Sequence, residues 1–222
     1  MRMSQTQAHD FASVLTGDLV ASRRHGPEVL DKAMQVLERV SRDFGEDIGA
    51  KAVFQRHRGD GWQLFLPLAQ PSLRAALRIQ AALAAAGSLA TRIGIGVGPA
   101  LVPDDGNLAA ASGAAFHMAG DVLAGMDRGT QLALPPIPGA LGDALGALML
   151  FVDREAQGWN RTQGQALFEA LRVQTPTQEA IAQKVGVTRQ AVQSRLSGTA
   201  LDALQETLWV YENRIDTIRD SL

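Results

Sequence analysis

Along the first hundred residues the apolar positions alternate, then recur every three or four residues, then alternate again. That change of period lays out the elements. Residues 11–20 read as a strand, and residues 27–44 follow with Leu30, Met34, Leu37 and Val40 at helical spacing. Residues 52–58 and 62–66 flank the tight turn Gly59-Asp60-Gly61 and read as a β-hairpin. An Ala- and Leu-rich helix is predicted over 71–86, and a strand over 90–97 in which Ile93, Ile95 and Val97 alternate with Gly94, Gly96 and Gly98. One face of that strand is bare, so a helix or a ligand is expected close to its backbone.

The order strand-helix-strand-strand-helix-strand is the ferredoxin-like βαββαβ arrangement, an antiparallel sheet with helices on one face. The predicted fold class is therefore α+β. Beyond it, 103–106 reads as a turn, 113–126 as a helix, and 131–134 as a short strand before Pro-Pro-Ile-Pro-Gly. Residues 141–156 read as a linking helix and 163–173 as the first helix of an all-α unit. Domains are expected at 1–157 and 158–222, with the boundary near Gly158.

The segment 178–196, QEAIAQKVGVTRQAVQSRL, has the spacing of a helix-turn-helix. Ala182 falls where two helices cross, Gly186 at the turn, and Thr188 where a hydroxyl caps the second helix. Ile181, Val185, Val187, Val192 and Leu196 supply the packed side. Thr188, Arg189, Gln190, Gln193 and Ser194 then face outward, with Gln178 at the start and Arg195 at the flank. Arg reads guanine and Gln reads adenine through paired hydrogen bonds, and a helix of this kind sits in the major groove, so double-stranded DNA is the expected partner. Lys184, Arg189 and Arg195 make the stretch locally basic. The alternative is a plain amphipathic helix pair.

Composition narrows this further. The 222 residues carry a formal charge of -2, so DNA affinity has to come from a local patch. There is no cysteine, which removes disulfides, thiolate metal sites and thiol nucleophiles. The start, MRMSQTQAHD, lacks the apolar run of a signal peptide, and no membrane span is expected, so a cytoplasmic protein is predicted. The four histidines have no metal-ligand spacing, and His57 near Asp60 lies on an undecided side of its strand. Asp18 at the end of the first strand and Asp60 in the hairpin turn are candidate neighbours, able to face one divalent cation whose remaining shell is phosphate and water. Each aspartate also has a local reading, as a turn former or a loop cap.

With these residues identified, the N-terminal part resembles the catalytic palm of class III nucleotidyl cyclases. LTGDLVAS matches that family's first strand, RGDGWQLF its hairpin, and RIGIGVG a later strand. The resemblance implies metal binding by Asp18 and Asp60, possible Mg²⁺ with a nucleotide, and a phosphate-facing loop at Ser22 with Arg23 and Arg24 beside it. Arg56 falls where the family has a base-reading lysine. GAAFHMAGDVL presents His117 and Asp121 in place of the family's asparagine and transition-state arginine, so His117 becomes a ligand contact and no catalytic residue is assigned. The picture is of a degenerate cyclase that leans away from enzymatic activity. Across both parts the chain resembles the SatD-like family, through TGDLVASR, RGDGWQ, SGAAFHMAG and VTRQAVQSRL in order.

Leu201, Leu204, Leu208, Tyr211, Ile215, Ile218 and Leu222 recur in steps of three and four, a seam suited to a dimeric coiled coil or to packing on the same chain. The expectation is a homodimeric, DNA-binding transcriptional regulator whose cyclase-like domain senses a nucleotide or mediates dimerisation. The alternative is an active, metal-dependent nucleotidyl cyclase or nucleotide hydrolase with a DNA-binding tail.

Overall fold

The computed structural model describes residues 6–57 and 59–216. Strand β1 (Thr6–Leu19) lies at the centre, antiparallel to β3 (Gly61–Leu66) on one side and β4 (Thr91–Pro103) on the other. β2 (Val53–His57) pairs with the outer edge of β3, and the short β5 (Leu132–Ala133) joins β4 in parallel. The five-stranded sheet therefore runs β2-β3-β1-β4-β5. Both long strands outrun their sequence signal. Thr6 to His9 pair with Ala100 to Pro103 beyond a register shift between His9 and Ala12. Thr6 to Ala8 are exposed and so show no apolar alternation, while Gly98 and Pro99 read as a strand end but lie within β4.

On one sheet face Leu15, Leu19, Trp62, Leu64, Ile93 and Ile95 meet helices α1 (Pro27–Asp47) and α2 (Ser72–Ala86). The predicted stripe of α1 is present, with Met34, Leu37 and Val40 buried and Leu30 half-buried. Helices were expected on one face alone, but α3 (Ala114–Gly125) covers the other, over Val14, Phe65 and the bare side of β4. A Cβ on Gly96 would lie 2.2 Å from Ala115 O, and one on Gly94 would lie 2.6 Å from Ala119 O. The glycine side is bare because a helix backbone occupies the space where side chains would be.

Further contacts come from the C-terminal helices α4 (Ala140–Gln157), α5 (Arg161–Ala170), α6 (Gln178–Val185), α7 (Arg189–Ser197) and α8 (Leu201–Arg214). α5 starts at a capping box between Asn160 and Gln163 and presses on α2 so closely that a Cβ on Gly164 would lie 2.6 Å from Ala81 O. Helix α2 is therefore enclosed, and every residue from Ser72 to Leu83 is buried. One apolar cluster runs from the sheet through α2 to Ile181, Val192 and Leu208.

Charge reinforces the same seam. Arg78 of α2, fully buried, donates to Asp43 and Asp47 of α1 and stacks over Phe168, 4.6 Å from its ring centroid. Arg172, after α5, donates to the same two aspartates and to Glu169, which also accepts from Lys184 of α6 at 3.0 Å. Burial outweighs these carboxylates and holds the Arg78 guanidinium below its ordinary value.

The C-terminal stripe has its partner inside the chain. Leu204, Leu208, Tyr211 and Ile215 are buried, and Tyr211 Oη lies 2.8 Å from Ser72 Oγ of α2. Of the two readings of this stripe, packing on the same chain is the one found over Leu204 to Ile215, and that buried face is not free to pair with a second chain. Ile218 and Leu222 lie outside the described residues, as do Arg58 and residues 1–5.

Candidate functional site

Asp18 is the penultimate residue of β1, opposite Gly61 on β3 and Arg92 on β4. The strand end is pinned from beneath: Trp62 Nε1 donates to Thr91 Oγ1 at 2.9 Å, and Thr91 Oγ1 donates to the Asp18 carbonyl at 2.8 Å. Leu19 N–H donates to the Asp60 carbonyl at 3.2 Å, which ties the hairpin turn to the end of β1. The two expected carboxylates are thus brought to one place, and Ser22 joins them by donating its hydroxyl to Asp60 Oδ2. Ser22, Arg23 and Arg24 form a single 3₁₀ turn after Ala21, whose φ of 56° is left-handed. Ser22 is buried, while Arg23 and Arg24 are exposed.

Arg92 is the residue that sequence reasoning missed. Its Nε donates to Asp18 Oδ1 at 2.8 Å and its Nη2 to Asp18 Oδ2, a two-pronged pair. The hydrogen bonds to Asp18 first, and then the charges of Asp18 and Asp60, hold this guanidinium above its ordinary value against its partial burial. Both Asp18 oxygens are engaged, and Asp60 already accepts from Ser22. Among the described residues no group of three or more His, Asp or Glu side chains is placed to hold a metal ion. With Arg92 paired as it is, a cation shared by the two aspartates would have to displace the guanidinium or share an oxygen with it. Arg92 is the one charged side chain in a strand of Gly, Ile and Val, but its partner follows only once the β1–β4 register is known.

The other expected ligand contacts lie elsewhere. Arg56, on edge strand β2, donates to Asp31 of α1 at 2.6 Å and to the Gly59 carbonyl at 2.9 Å. His57 is exposed on the same edge. His117 is exposed on α3, where with Asp121 it borders an apolar groove of about 880 Å³ between α3, β5 and α4.

The C-terminal helix pair is built by local rules. Thr177 Oγ1 accepts from Ala180 N–H at the start of α6, and Thr188 Oγ1 accepts from Ala191 N–H at the start of α7, both at 3.2 Å. Gly186 closes α6 at φ 73°, a left-handed conformation that costs glycine little. Ile181, Ala182, Val192 and Leu196 are buried, Val185 and Val187 half-buried. Thr188, Arg189, Gln190, Gln193 and Ser194 are exposed, and Gln178 is half-buried at the first turn. Arg195 is half-buried and donates to Gln165 of α5 at 3.1 Å. Lys184 faces Glu169, so its charge is already compensated.

No family model and no curated protein matches the chain. Among solved structures, it is similar to the catalytic core of a rhodopsin-guanylyl cyclase crystallised with ATPαS, at 16% identity and a TM-score of 0.47 over 60% of this chain and 80% of that one. It is similar also to an adenylate/guanylate cyclase/hydrolase from Silicibacter pomeroyi, at 19% identity and a TM-score of 0.46 over 65% of this chain and 84% of that one. An adenylyl cyclase from P. aeruginosa matches at 14% identity and a TM-score of 0.45 over 64% of this chain and 82% of that one. Among the described residues, no helix is long and apolar enough to cross a membrane.

Proposed function

We propose that this chain is a DNA-binding regulator in which a nucleotidyl-cyclase-like sheet, ferredoxin-like in the order of its first four strands, carries a helix-turn-helix formed by α6 and α7, and that it acts as a cytoplasmic homodimer. The observation that carries this reading is α7 itself. It is capped by Thr188, packed through Val192 and Leu196, and left with Arg189, Gln190, Gln193 and Ser194 exposed. A polar helix face held rigidly by its own core has the shape and hydrogen-bonding capacity to enter a major groove, where each good paired contact discriminates between bases by about 1–3 kcal/mol. Selection of bound fragments from sheared genomic DNA tests it. The wild type should enrich a roughly palindromic site, and the double substitution Arg189→Ala, Gln193→Ala should lose it without a change in thermal midpoint. Absence of enrichment at moderate salt would overturn the reading.

The second reading is an active nucleotidyl cyclase or nucleotide hydrolase, or a sensor of the same nucleotide, and a specific observation favours it: Asp18, Asp60 and Ser22 converge beside the Arg23–Arg24 turn. The similar solved structures are cyclases, one of them a cyclase/hydrolase, and at TM-scores of 0.45 to 0.47 that likeness carries no argument for this chain's activity. Mg²⁺ with a nucleotide belongs here too. Calorimetry with ATP, GTP and cyclic nucleotides, with and without Mg²⁺, separates a sensor from a scaffold, and loss of product in Asp60→Asn marks an enzyme.

A further inference from the structure

We infer that Arg92 is a built-in counter-ion that closes the two-aspartate site to divalent cations. Magnesium takes carboxylate oxygens at roughly 2.0–2.1 Å in near-octahedral geometry, so a cation shared by Asp18 and Asp60 needs at least one open oxygen on each. On Asp18 both oxygens already accept from the planar fork of Arg92, so a cation there would have to displace the guanidinium or share an oxygen with it. Asp60 accepts from the buried Ser22 hydroxyl at Oδ2. Asp60 also adds to the electrostatic hold on Arg92, so the guanidinium serves both carboxylates. A divalent ion entering here would have to break a charge-assisted pair and then sit beside a guanidinium that carries its own positive charge.

The backbone sets Arg92 directly beside Asp18. Arg92 and Asp18 are direct partners in the β1–β4 ladder, and the Asp18 carbonyl is tied through Thr91 to the buried Trp62. The two residues are thus brought together by strand register rather than by a loop. Two carboxylates and one guanidinium leave a single net negative charge at the strand end. Removing Arg92 would leave two, with water, an added cation or the exposed Arg23 and Arg24 of the adjacent turn to balance them.

This inference stands whether or not the helix pair reads DNA, and it decides against the metal-dependent enzyme if it holds. Manganese is the probe, followed by electron paramagnetic resonance of the free ion on the full chain. Wild type should leave the free Mn²⁺ signal unchanged at equimolar ion. Arg92→Gln should remove most of that signal, and adding Asp18→Asn to it should bring the signal back. Mn²⁺ should raise the thermal midpoint of Arg92→Gln and leave that of the wild type where it was. Wild-type binding of Mn²⁺ that Asp18→Asn abolishes would overturn the inference, as would a folded Arg92→Gln that binds no more Mn²⁺ than wild type. Should Arg92→Gln fail to fold, the wild-type and Asp18→Asn titrations still decide: no difference between them, with the ion free in both, supports the closed site.

Discussion

Gly96 shows how a single position can hold two layers together. Its absent Cβ would meet the backbone of α3 at 2.2 Å, and backbone, unlike the end of a long side chain, has nowhere to go. Gly96→Ala should therefore cost about 1–3 kcal/mol by overpacking, read as a fall in the urea midpoint with the slope unchanged. Tyr211 gives a pH signature. Burial pushes its hydroxyl up to about 12 from an ordinary 10.0, so the unfolded chain releases this proton first as pH rises. The unfolded state then binds fewer protons than the folded one, and stability falls between roughly pH 10 and 12. Thermal midpoints across that window should drop less steeply in Tyr211→Phe. At this scale the candidate site was legible as a pair of aspartates, because each stands in a short local motif. Arg92 was not, because its role depends on a strand pairing 74 residues apart that no local pattern records.

Elements whose chemistry is local were legible in type and close in extent. The caps Thr177 and Thr188, the left-handed Gly186 and the spacing of Ile181, Val192 and Leu196 all act within a few residues, so α6 and α7 lie where their sequence predicts. Thr6 to Ala8 of β1 do not, since an exposed strand needs no apolar alternation. Nor did the period of α8 reveal what its stripe faces: steps of three and four fit a second chain or the same one, and Ser72 and its neighbours on α2 supply the partner. The ion network around Arg78 was equally invisible, being made across α1, α2 and the end of α5. Arg78→Met should be destabilising by about 1.5–3 kcal/mol, because Asp43 and Asp47 lose their fully buried partner and keep the more exposed Arg172 and, for Asp47, the Val173 N–H. Chemical denaturation of the variant checks this, and a loss under 1 kcal/mol would show that Arg172 suffices.

Across the whole molecule the decisive feature is that α2 has no outer face. The sheet and α1 lie on one side of it and α5 and α8 on the other, so the same Ala-rich helix is core to the first half of the chain and to the last. The Tyr211–Ser72 contact closes a separation of 139 residues, and Arg74 reaches 138 residues to Glu212 at 2.6 Å. A nascent chain emerging from the ribosome therefore makes a sheet and a helix that stay sticky until α8 arrives. Such long-range closure is slow to form and leaves apolar surface open in the interval. The protein's vulnerable moment is its own synthesis, and a stop after residue 157 would make that moment permanent, giving a product that chaperones hold and proteases clear.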